Sequence, residues 1–461
     1  MFLMVLEYKR ELGLKESLSI ILGKVIGSGI FKTPAPIMMI TGSIPLFFTT
    51  WIVAGILTLF SAMLYAEMVS AFPKSGGPYE FLKRAYHPVI PFLRGWAMFF
   101  VSETASIVIV SIVFSEYLIK ILLIVFSFES FYLLEMFITL SLIWFFTIFN
   151  SIGLKFSGWF QNILSLLKIF SLFYVIFVCI STNPKWIFYS NTKEPLSLIS
   201  FLTVIGYSLR YALFTYSGWE GATYVAEEVR DPKKNLPLSL FLGIGIVIVL
   251  YLLTNLSYFF QLLPEEIANS KFVAADAMQK ALGSFGAITI SVIIVINTAG
   301  NVNAQIFTKA RTWQAMSRDG LFFPFLKNLS KNSLPVRSLM IQSIWASVLT
   351  ILAYSSYWYK TTVSIYDRLI DFFAFTSSVF NVLTVIAVWI LRKKYPNVDR
   401  SYKVKYFHLI FFIVLLIYSF YAISTLISAF YESVIGIFLT LTGLIYWKYN
   451  IKKNRTIVDM N

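Results

Sequence analysis

Three small residues interrupt the first long apolar run of the chain, and residues of these types could bind a carboxylate. The run reads LGKVIGSGIF over residues 22–31, with Ser28 between Gly27 and Gly29. Glycine weakens a helix by about 1 kcal/mol relative to alanine, so we expect the helix to break here. Lipid cannot satisfy the N–H and C=O groups of a broken helix, so the break must face protein or a wet cavity. The sequence therefore predicts half of a small-molecule site at this stretch.

A second apolar run carries small residues beside a carboxylate. Residues 210–224 read RYALFTYSGWEGATY, with small residues at positions 217, 218, 221 and 222 and Glu220 among them. Small residues also let two helices pack closely, and that alternative explains the glycines. It does not explain the glutamate beside them. We therefore predict a second backbone break next to Glu220.

Two ionisable side chains lie inside other apolar runs, where the loss of water makes a charge unfavourable. Glu103 could compensate a cationic substrate, relay a proton or pair with a buried base, and a purely structural pair with another helix is an equal alternative. Lys168 falls near the middle of its run, where an ammonium must find carbonyl or carboxylate partners. It could couple to proton movement, replace a bound metal cation or form a static ion pair.

A polar run, NTAGNVNAQ at residues 297–305, interrupts a later apolar segment. At helical spacing this run would give one polar face. Contact with lipid could not tolerate such a face. We therefore expect it to line the protein interior or a wet cavity.

The elements that must position these residues are membrane-spanning helices. The chain has 461 residues, of which 58% are hydrophobic and 13% charged, and its mean hydropathy is +0.75. Apolar runs of about 20 residues, long enough to cross a bilayer, recur along its length. We predict an all-α integral membrane fold of about 12 spans, at residues 17–39, 44–70, 92–125, 131–150, 157–181, 200–226, 236–262, 283–315, 336–356, 366–391, 405–427 and 432–449. The connections are short, so we expect one transmembrane domain over residues 1–461.

The net charge of +15 indicates topology rather than binding of nucleic acid. With a cytoplasmic N-terminus, most basic residues fall on the cytoplasmic side, and this count includes Arg94, Lys309 and Arg311. The opposite orientation would invert this positive-inside asymmetry. We predict a multi-pass protein of the plasma membrane, in contact with lipid, without a nucleic-acid partner and with both termini in the cytoplasm.

The cysteine and histidine content excludes several kinds of site. The single cysteine, Cys179, cannot form an intramolecular disulfide, and the two histidines do not suffice for a metal site. Without a histidine cluster, a carboxylate pair or a nucleophile constellation, we predict no enzyme, no metal and no cofactor. The apolar start, residues 1–6, is too short for a signal-peptide core, so we expect no cleaved signal.

The two predicted breaks lie five spans apart, in the first and sixth spans, which run in opposite directions. This spacing is typical of an inverted five-plus-five repeat. We predict a first repeat at about residues 15–181, a second at about 200–391 and two extra helices at about 405–450. Half-helix N-termini suit a carboxylate and freed carbonyls suit an ammonium, so the two breaks together favour an α-amino acid.

The motifs resemble those of the amino acid–polyamine–organocation transporters, most closely their L-type amino acid transporter branch. The matching stretches are IGSGIF at 26–31 with Pro34, SGGPY at 75–79, residues 214–228 leading to NLP at 235–237, and residues 303–320. The resemblance implies a leucine-transporter-like fold. It also implies a secondary active amino acid transporter that works by alternating access.

The resemblance further implies roles for individual residues. Amides of the Gly-Ser-Gly segment would hold the substrate carboxylate, and carbonyls of Val25, Phe214 and Ser217 would hold its amino group, with the Phe214 ring as a cap. Lys168 matches a lysine that fills the place of sodium in sodium-coupled relatives, which implies sodium-independent exchange or proton coupling. Glu103 is the second candidate for ion coupling. The predicted substrate-binding set is Val25, Ile26, Gly27, Ser28, Gly29, Phe214, Ser217, Trp219 and Glu220.

Several residues depart from the pattern of the L-type branch. Lys24 lies just before the first break, where relatives usually have a small neutral residue. Glu220 replaces an asparagine and matches a glutamate of antiporters for basic amino acids and amines. The alternative function is therefore a basic amino acid or polyamine antiporter, unless Glu220 pairs with Lys24 and leaves the pocket neutral. Because Cys179 falls at the buried end of the fifth span, we expect no disulfide-linked accessory subunit.

Overall fold

The computed structural model describes residues 10, 12–126, 132–152, 154–182, 197–330, 334–355 and 365–452. These residues are almost entirely helical and form no β-strand, and one isolated parallel bridge joins Leu12 to Val229. Helices suit such an apolar chain, because a helix satisfies its backbone hydrogen bonds within itself.

The described α-helices have the following bounds in chain order: α1 Leu14–Val25, α2 Gly29–Lys32, α3 Pro34–Thr41, α4 Ile44–Ala71, α5 Pro78–Ala85, α6 Val89–Ala97, α7 Glu103–Phe126, α8 Tyr132–Ile152, α9 Leu154–Ser181, α10 Leu198–Tyr216, α11 Pro232–Tyr258, α12 Pro264–Asn269, α13 Val273–Arg318, α14 Val336–Ser355, α15 Ile365–Lys394, α16 Phe407–Ser428 and α17 Phe430–Tyr446. Two 3₁₀ segments, Trp219–Glu228 and Pro324–Leu326, and two π turns, Met98–Ser102 and Trp447–Lys452, complete the described helical structure.

Ten helical stretches of the described chain are long and apolar enough to cross a membrane. They correspond to ten of the spans predicted from the sequence. The other two are the first span, which the structure divides into α1, α2 and α3, and the fifth, which is α9 with its apolar part at Leu166–Ser181. The predicted all-α membrane fold is confirmed, whereas its division into two inverted repeats stays a prediction.

The first span is broken where its glycines lie. After α1, Ile26 is extended (φ −72°, ψ 94°), and α2 begins at Gly29. A Cβ atom on Gly27 would lie 2.7 Å from Asn301 Nδ2, and one on Gly29 would lie 2.6 Å from Thr215 Oγ1. Larger residues would push α13 and α10 away, so these glycines permit close helix contact as well as the break.

The sixth span is broken in a different way. After α10, Ser217 is extended (φ −65°, ψ 156°) and Gly218 has a φ of +93°. Glycine adopts such a φ without the strain that a Cβ atom would cause. The chain then continues as the 3₁₀ segment Trp219–Glu228 rather than as an α-helix. Both predicted breaks are present, and α1 packs against this 3₁₀ segment.

Two local departures from regular helix precede polar residues of interest. α13 bends at Gly283 (φ +65°), and its longer part after this bend carries the polar run at residues 297–305. In the third span, the π turn Met98–Ser102 joins α6 to α7 immediately before Glu103. A π turn of this kind often marks a functional site.

The helix ends form two opposite faces of the bundle. One, called here the basic face, carries residues 72–88, 229–232, 319–330 and 395–406, which contact one another through side chains such as Lys83, Lys233 and Lys394. The other, called the opposite face, carries residues 41–44 and 259–272.

Three basic residues that charge counting places on the cytoplasmic side are buried inside the bundle. Arg94, Lys309 and Arg311 are 6%, 1% and 4% exposed. The prediction is wrong for them because a count of charges along the sequence does not show which way a helical side chain points. Large apolar side chains instead occupy the outer surface, as lipid contact requires, among them Phe137, Phe145, Phe170, Phe177 and Leu416.

Candidate functional site

A cavity lies between the two broken helices and is called here the first cavity. The space there that no atom fills, open solvent included, amounts to about 430 Å³. Residues of the two breaks, α7, α13 and α15 form its wall. The predicted site residues that line it are Val25, Gly27, Ser28, Gly29, Glu103, Phe214 and Ser217.

A second cavity, with about 720 Å³ of space not filled by atoms and with open solvent included, adjoins the first. Glu103, Ser217 and Phe373 line both. Trp219 and Glu220, which the sequence assigns to the same pocket as the Gly-Ser-Gly segment, line the second cavity and not the first. The predicted site is therefore divided between two connected spaces.

The carbonyl groups at the end of α1 bond to side chains from three other helices. Lys168 Nζ of α9 donates a hydrogen bond to the carbonyl oxygen of residue 23. Asn301 Nδ2 of α13 donates to that of residue 24 at 2.7 Å, and Tyr251 Oη of α11 donates to that of residue 25 at 2.9 Å. In contrast, the amides of residues 27–29 find no acceptor among the described residues. Free N–H groups beside a cavity can bind a carboxylate.

Two predicted site residues line neither cavity. Ile26 is fully buried in the apolar core. Lys168 lies behind α1, and its fully buried ammonium is paired with a carbonyl that the break frees, as a charge inside the membrane requires.

Four polar residues of α13, spaced by four, form a stripe that the sequence indicates only in part. Lys309 Nζ donates to Gln305 Oε1 at 2.5 Å, and Gln305 Nε2 donates to Asn301 Oδ1 at 2.5 Å. Asn297 Nδ2 donates to Ser171 Oγ of α9 at 2.8 Å. The predicted polar face at residues 297–305 thus faces the interior. It extends one turn further, to Lys309.

Glu103 pairs with a buried base, one of the roles that the sequence leaves open. Lys309 Nζ lies 3.0 Å from Glu103 Oε2 and also donates to the Glu103 carbonyl oxygen at 2.6 Å. Both residues line the first cavity. Sequence reasoning missed Lys309 as a site residue, although its position four residues after Gln305 could have indicated it.

Lys24 carries a buried ammonium that donates no hydrogen bond to any described residue. Its Nζ lies 4.5 Å from the centre of the Tyr224 ring. Gly218 and Gly221 leave room for its stem, since a Cβ on either would lie 3.0 Å from it. The ion pair with Glu220 that the sequence suggests is not formed; Glu220 Oε1 accepts a long hydrogen bond from Tyr224 Oη, at 3.5 Å.

A family model described as amino acid permease matches residues 12–450, which is nearly the whole chain. The chain belongs to the amino acid permease family. The large neutral amino acids transporter small subunit 2 of Mus musculus is 30% identical over 96% of this chain and 82% of that protein. The cystine/glutamate transporter of Homo sapiens is 28% identical over 95% of this chain and 84% of that protein. The Asc-type amino acid transporter 1 of Mus musculus is 27% identical over 95% of this chain and 82% of that protein.

The family confirms the resemblance drawn from the motifs. It is a family of transporters rather than enzymes, and the relatives are named as amino acid transporters. The permease is therefore a multi-pass membrane protein of the amino acid transport class. The candidate substrate-binding residues are those that line the two cavities.

On the opposite face, charged and aromatic side chains close the permease above the first cavity. Arg210 Nη1 lies 3.0 Å from Asp371 Oδ1, and the rings of Phe214 and Phe373 meet edge to face at 5.5 Å. Lys32 forms a further ion pair near this face, with Glu116. These contacts join α10 and the end of the first broken helix to α15 and α7.

On the basic face, the Ser-Gly-Gly-Pro loop of the permease contacts the second broken helix. Glu227 N donates to Ser75 Oγ at 3.0 Å. Arg311 Nε donates to Glu228 Oε1, also at 3.0 Å, which joins the same 3₁₀ segment to α13. These bonds connect residues 75–79 and α13 to the second broken helix.

Proposed function

We propose that this permease is a secondary active transporter that carries α-amino acids by alternating access. The observation that carries this proposal is the first cavity between the two breaks. Free amides of residues 27–29 would bind the substrate carboxylate there, and the backbone carbonyls of Val25, Phe214 and Ser217 would receive the amino group. The Phe214 ring would cover the substrate from the opposite face.

Alternating access requires closures at both ends of the site that can open in turn. The Arg210–Asp371 pair and the Phe214–Phe373 contact would form one closure. The contacts of residues 75–79 and Arg311 with the 3₁₀ segment would form the other.

We propose that transport is independent of sodium. The buried Lys168 Nζ lies at the end of α1, where it bonds to a carbonyl oxygen that a metal ion would otherwise use. The energy source would then be exchange or proton coupling, with Glu103 as the second candidate for coupling. A basic amino acid or polyamine antiporter is the alternative, because Glu220 has no cation within ion-pair distance among the described residues.

The basic face would lie in the cytoplasm, since it carries the clustered Lys and Arg residues, and the membrane would be the plasma membrane.

One mammalian relative is named a small subunit. We propose that this permease has no disulfide-linked subunit, because its single cysteine, Cys179, is buried beside Met278 at a distance of 4.0 Å between sulfur atoms.

Uptake by purified permease in liposomes tests these proposals. Liposomes are loaded with one amino acid and offered labelled amino acids outside, in sodium or in choline medium. We expect saturable uptake that is equal in both media, and a sharp loss of uptake in Lys168→Ala, because that variant leaves the carbonyl oxygen of Gly23 without its cation. Lys405→Ala is the control, since Lys405 is exposed on the basic face.

Two results would contradict the proposals. Uptake that requires sodium would exclude the role assigned to Lys168. The absence of saturable uptake of any amino acid or polyamine would exclude the transport function itself.

A further inference from the structure

The Lys24 ammonium lies beside the first cavity and has no hydrogen-bond acceptor among the described residues. It lines the first cavity and is 5% exposed, and none of its three N–H bonds points to an acceptor in the described chain. The Tyr224 ring attracts the cation but accepts no conventional hydrogen bond. A charge buried in this way destabilises a fold unless something pairs with it, so its presence indicates a ligand.

The acidic groups nearby are already engaged or lie too far away. Glu103 is bound to Lys309 by its side chain and by its carbonyl oxygen. Glu220 lies beyond ion-pair distance of Lys24 and faces the second cavity with Tyr224 as its hydrogen-bond partner. No carboxylate of the described residues is therefore available to Lys24 in this arrangement.

The two cavities together also have an excess of positive charge. Arg94 lines the second cavity, is 6% exposed, and its Nε finds no acceptor among the described residues. The ionisable lining then consists of three cations and two carboxylates: Lys24, Arg94, Lys309, Glu103 and Glu220. A zwitterionic amino acid with an uncharged side chain would leave this excess in place, and a basic one would increase it.

We infer that the substrates of this permease carry a second carboxylate, which the Lys24 ammonium binds. This inference rests on the proposed function, because it assumes that the amides of residues 27–29 hold the α-carboxylate. Both groups face the first cavity. A dicarboxylic amino acid gives the orphan ammonium its acceptor and offsets the surplus charge.

Competition among three amino acids tests the inference in the wild-type permease. Glutamate, glutamine and lysine are offered as unlabelled competitors in the liposome uptake assay and as ligands in thermal-shift titrations. Glutamate and glutamine have nearly the same shape, so their ratio isolates the charge. We expect glutamate to bind roughly 10- to 100-fold more tightly than glutamine, the range for a hydrogen bond between charged groups in a buried site.

Equal or tighter binding of glutamine, or tighter binding of lysine, would overturn the assignment of Lys24 while leaving amino acid transport intact. If glutamate, glutamine, lysine and every other α-amino acid neither bind nor compete for uptake, the proposed function itself is overturned. The two failures are thus distinguishable.

Variants of Lys24 locate the effect. Lys24→Gln should reduce the preference for glutamate over glutamine at least about tenfold, because the amide lacks the full charge. Lys24→Arg should retain the preference, because it keeps the charge. The control is Lys233→Gln, an exposed change on the basic face that should leave the ratio as it is. A preference that survives in Lys24→Gln would overturn the inference, and if that variant does not fold, the wild-type ratio and Lys24→Arg still test it.

Discussion

Different kinds of interaction hold the backbone breaks in the two broken helices. At the first break, carbonyl groups of residues 23–25 depend on Lys168, Asn301 and Tyr251, which come from three other helices. At the second break, Ser217 N bonds to the carbonyl oxygen three residues before it, at 3.0 Å, and the one tertiary bond to a freed carbonyl is longer, 3.3 Å from Tyr251 Oη to the Thr215 oxygen. The first break is therefore held mainly by tertiary contacts and the second mainly by the conformation of its own backbone.

This difference identifies where each break is vulnerable. The partners of the first break are themselves connected, because Asn301 accepts from Gln305, which accepts from Lys309. Changes far along α13 should therefore reach it. The second break should respond most to changes at its own residues, above all at Gly218.

The largest effect is expected for Lys309→Met, which removes the cation at the far end of the α13 stripe. Glu103 would keep a buried charge without its partner, which should lower the free energy of unfolding by about 3–5 kcal/mol. Denaturant titration of the purified permease measures this change. The double variant Glu103→Gln/Lys309→Met should recover most of the loss, and a single variant as stable as the wild type would show that this ion pair does not stabilise the contact between α7 and α13.

A smaller effect is expected for Gly218→Ala at the second break. Alanine at a φ of +93° should cost about 1–2 kcal/mol of stability through backbone strain, because its Cβ atom crowds the backbone in left-handed conformations, and the Cβ would also lie 3.0 Å from Lys24 Cγ. Gly245→Ala in α11 is the matched control. A Cβ there meets no atom within 4 Å, so this change should stabilise the helix by up to about 1 kcal/mol. Similar losses at both glycines would contradict a local origin of the second break.

The smallest effect is expected for Tyr251→Phe, which removes a hydroxyl that bonds to carbonyl oxygens at both breaks. Tyr251 Oη lies 2.9 Å from the carbonyl oxygen of Val25 and 3.3 Å from that of Thr215. A hydroxyl has one proton to donate, so its removal should cost about 1 kcal/mol, as for a single hydrogen bond. Tyr258→Phe, which removes one bond to the Ile30 carbonyl, provides the comparison. A loss several times that of Tyr258→Phe would show that the hydroxyl holds both breaks at once.

The sequence predicts the membrane fold and both breaks because these depend on local composition. Apolar length fixes the spans, and small residues such as Gly27 and Gly218 indicate where a helix can be interrupted. The sequence does not show that Gly27 and Gly29 also make room for Asn301 and Thr215, since that contact joins residues far apart in the chain.

The composition of the site is predicted less completely. Charge counting assigns Lys309 to the cytoplasmic side because a lysine near the end of a span resembles a loop charge, whereas its partner Glu103 lies on another helix. Trp219 and Glu220 come soon after the second break in sequence, yet they line the second cavity. The 3₁₀ geometry of this segment changes the direction of successive side chains, and no residue pattern indicates it.

One extra residue in the π turn Met98–Ser102 determines which side chains of the third span share a wall. Arg94 and Glu103 are nine positions apart, so in an uninterrupted α-helix their side chains would point about 180° away from each other. The π turn absorbs one residue and rotates α7 back by about 100° relative to α6, which leaves the two side chains about 80° apart instead of opposite each other. Both line the second cavity. One extra residue in this helix, with no change of side chain, is thus enough to bring a guanidinium and a carboxylate to the wall of one cavity.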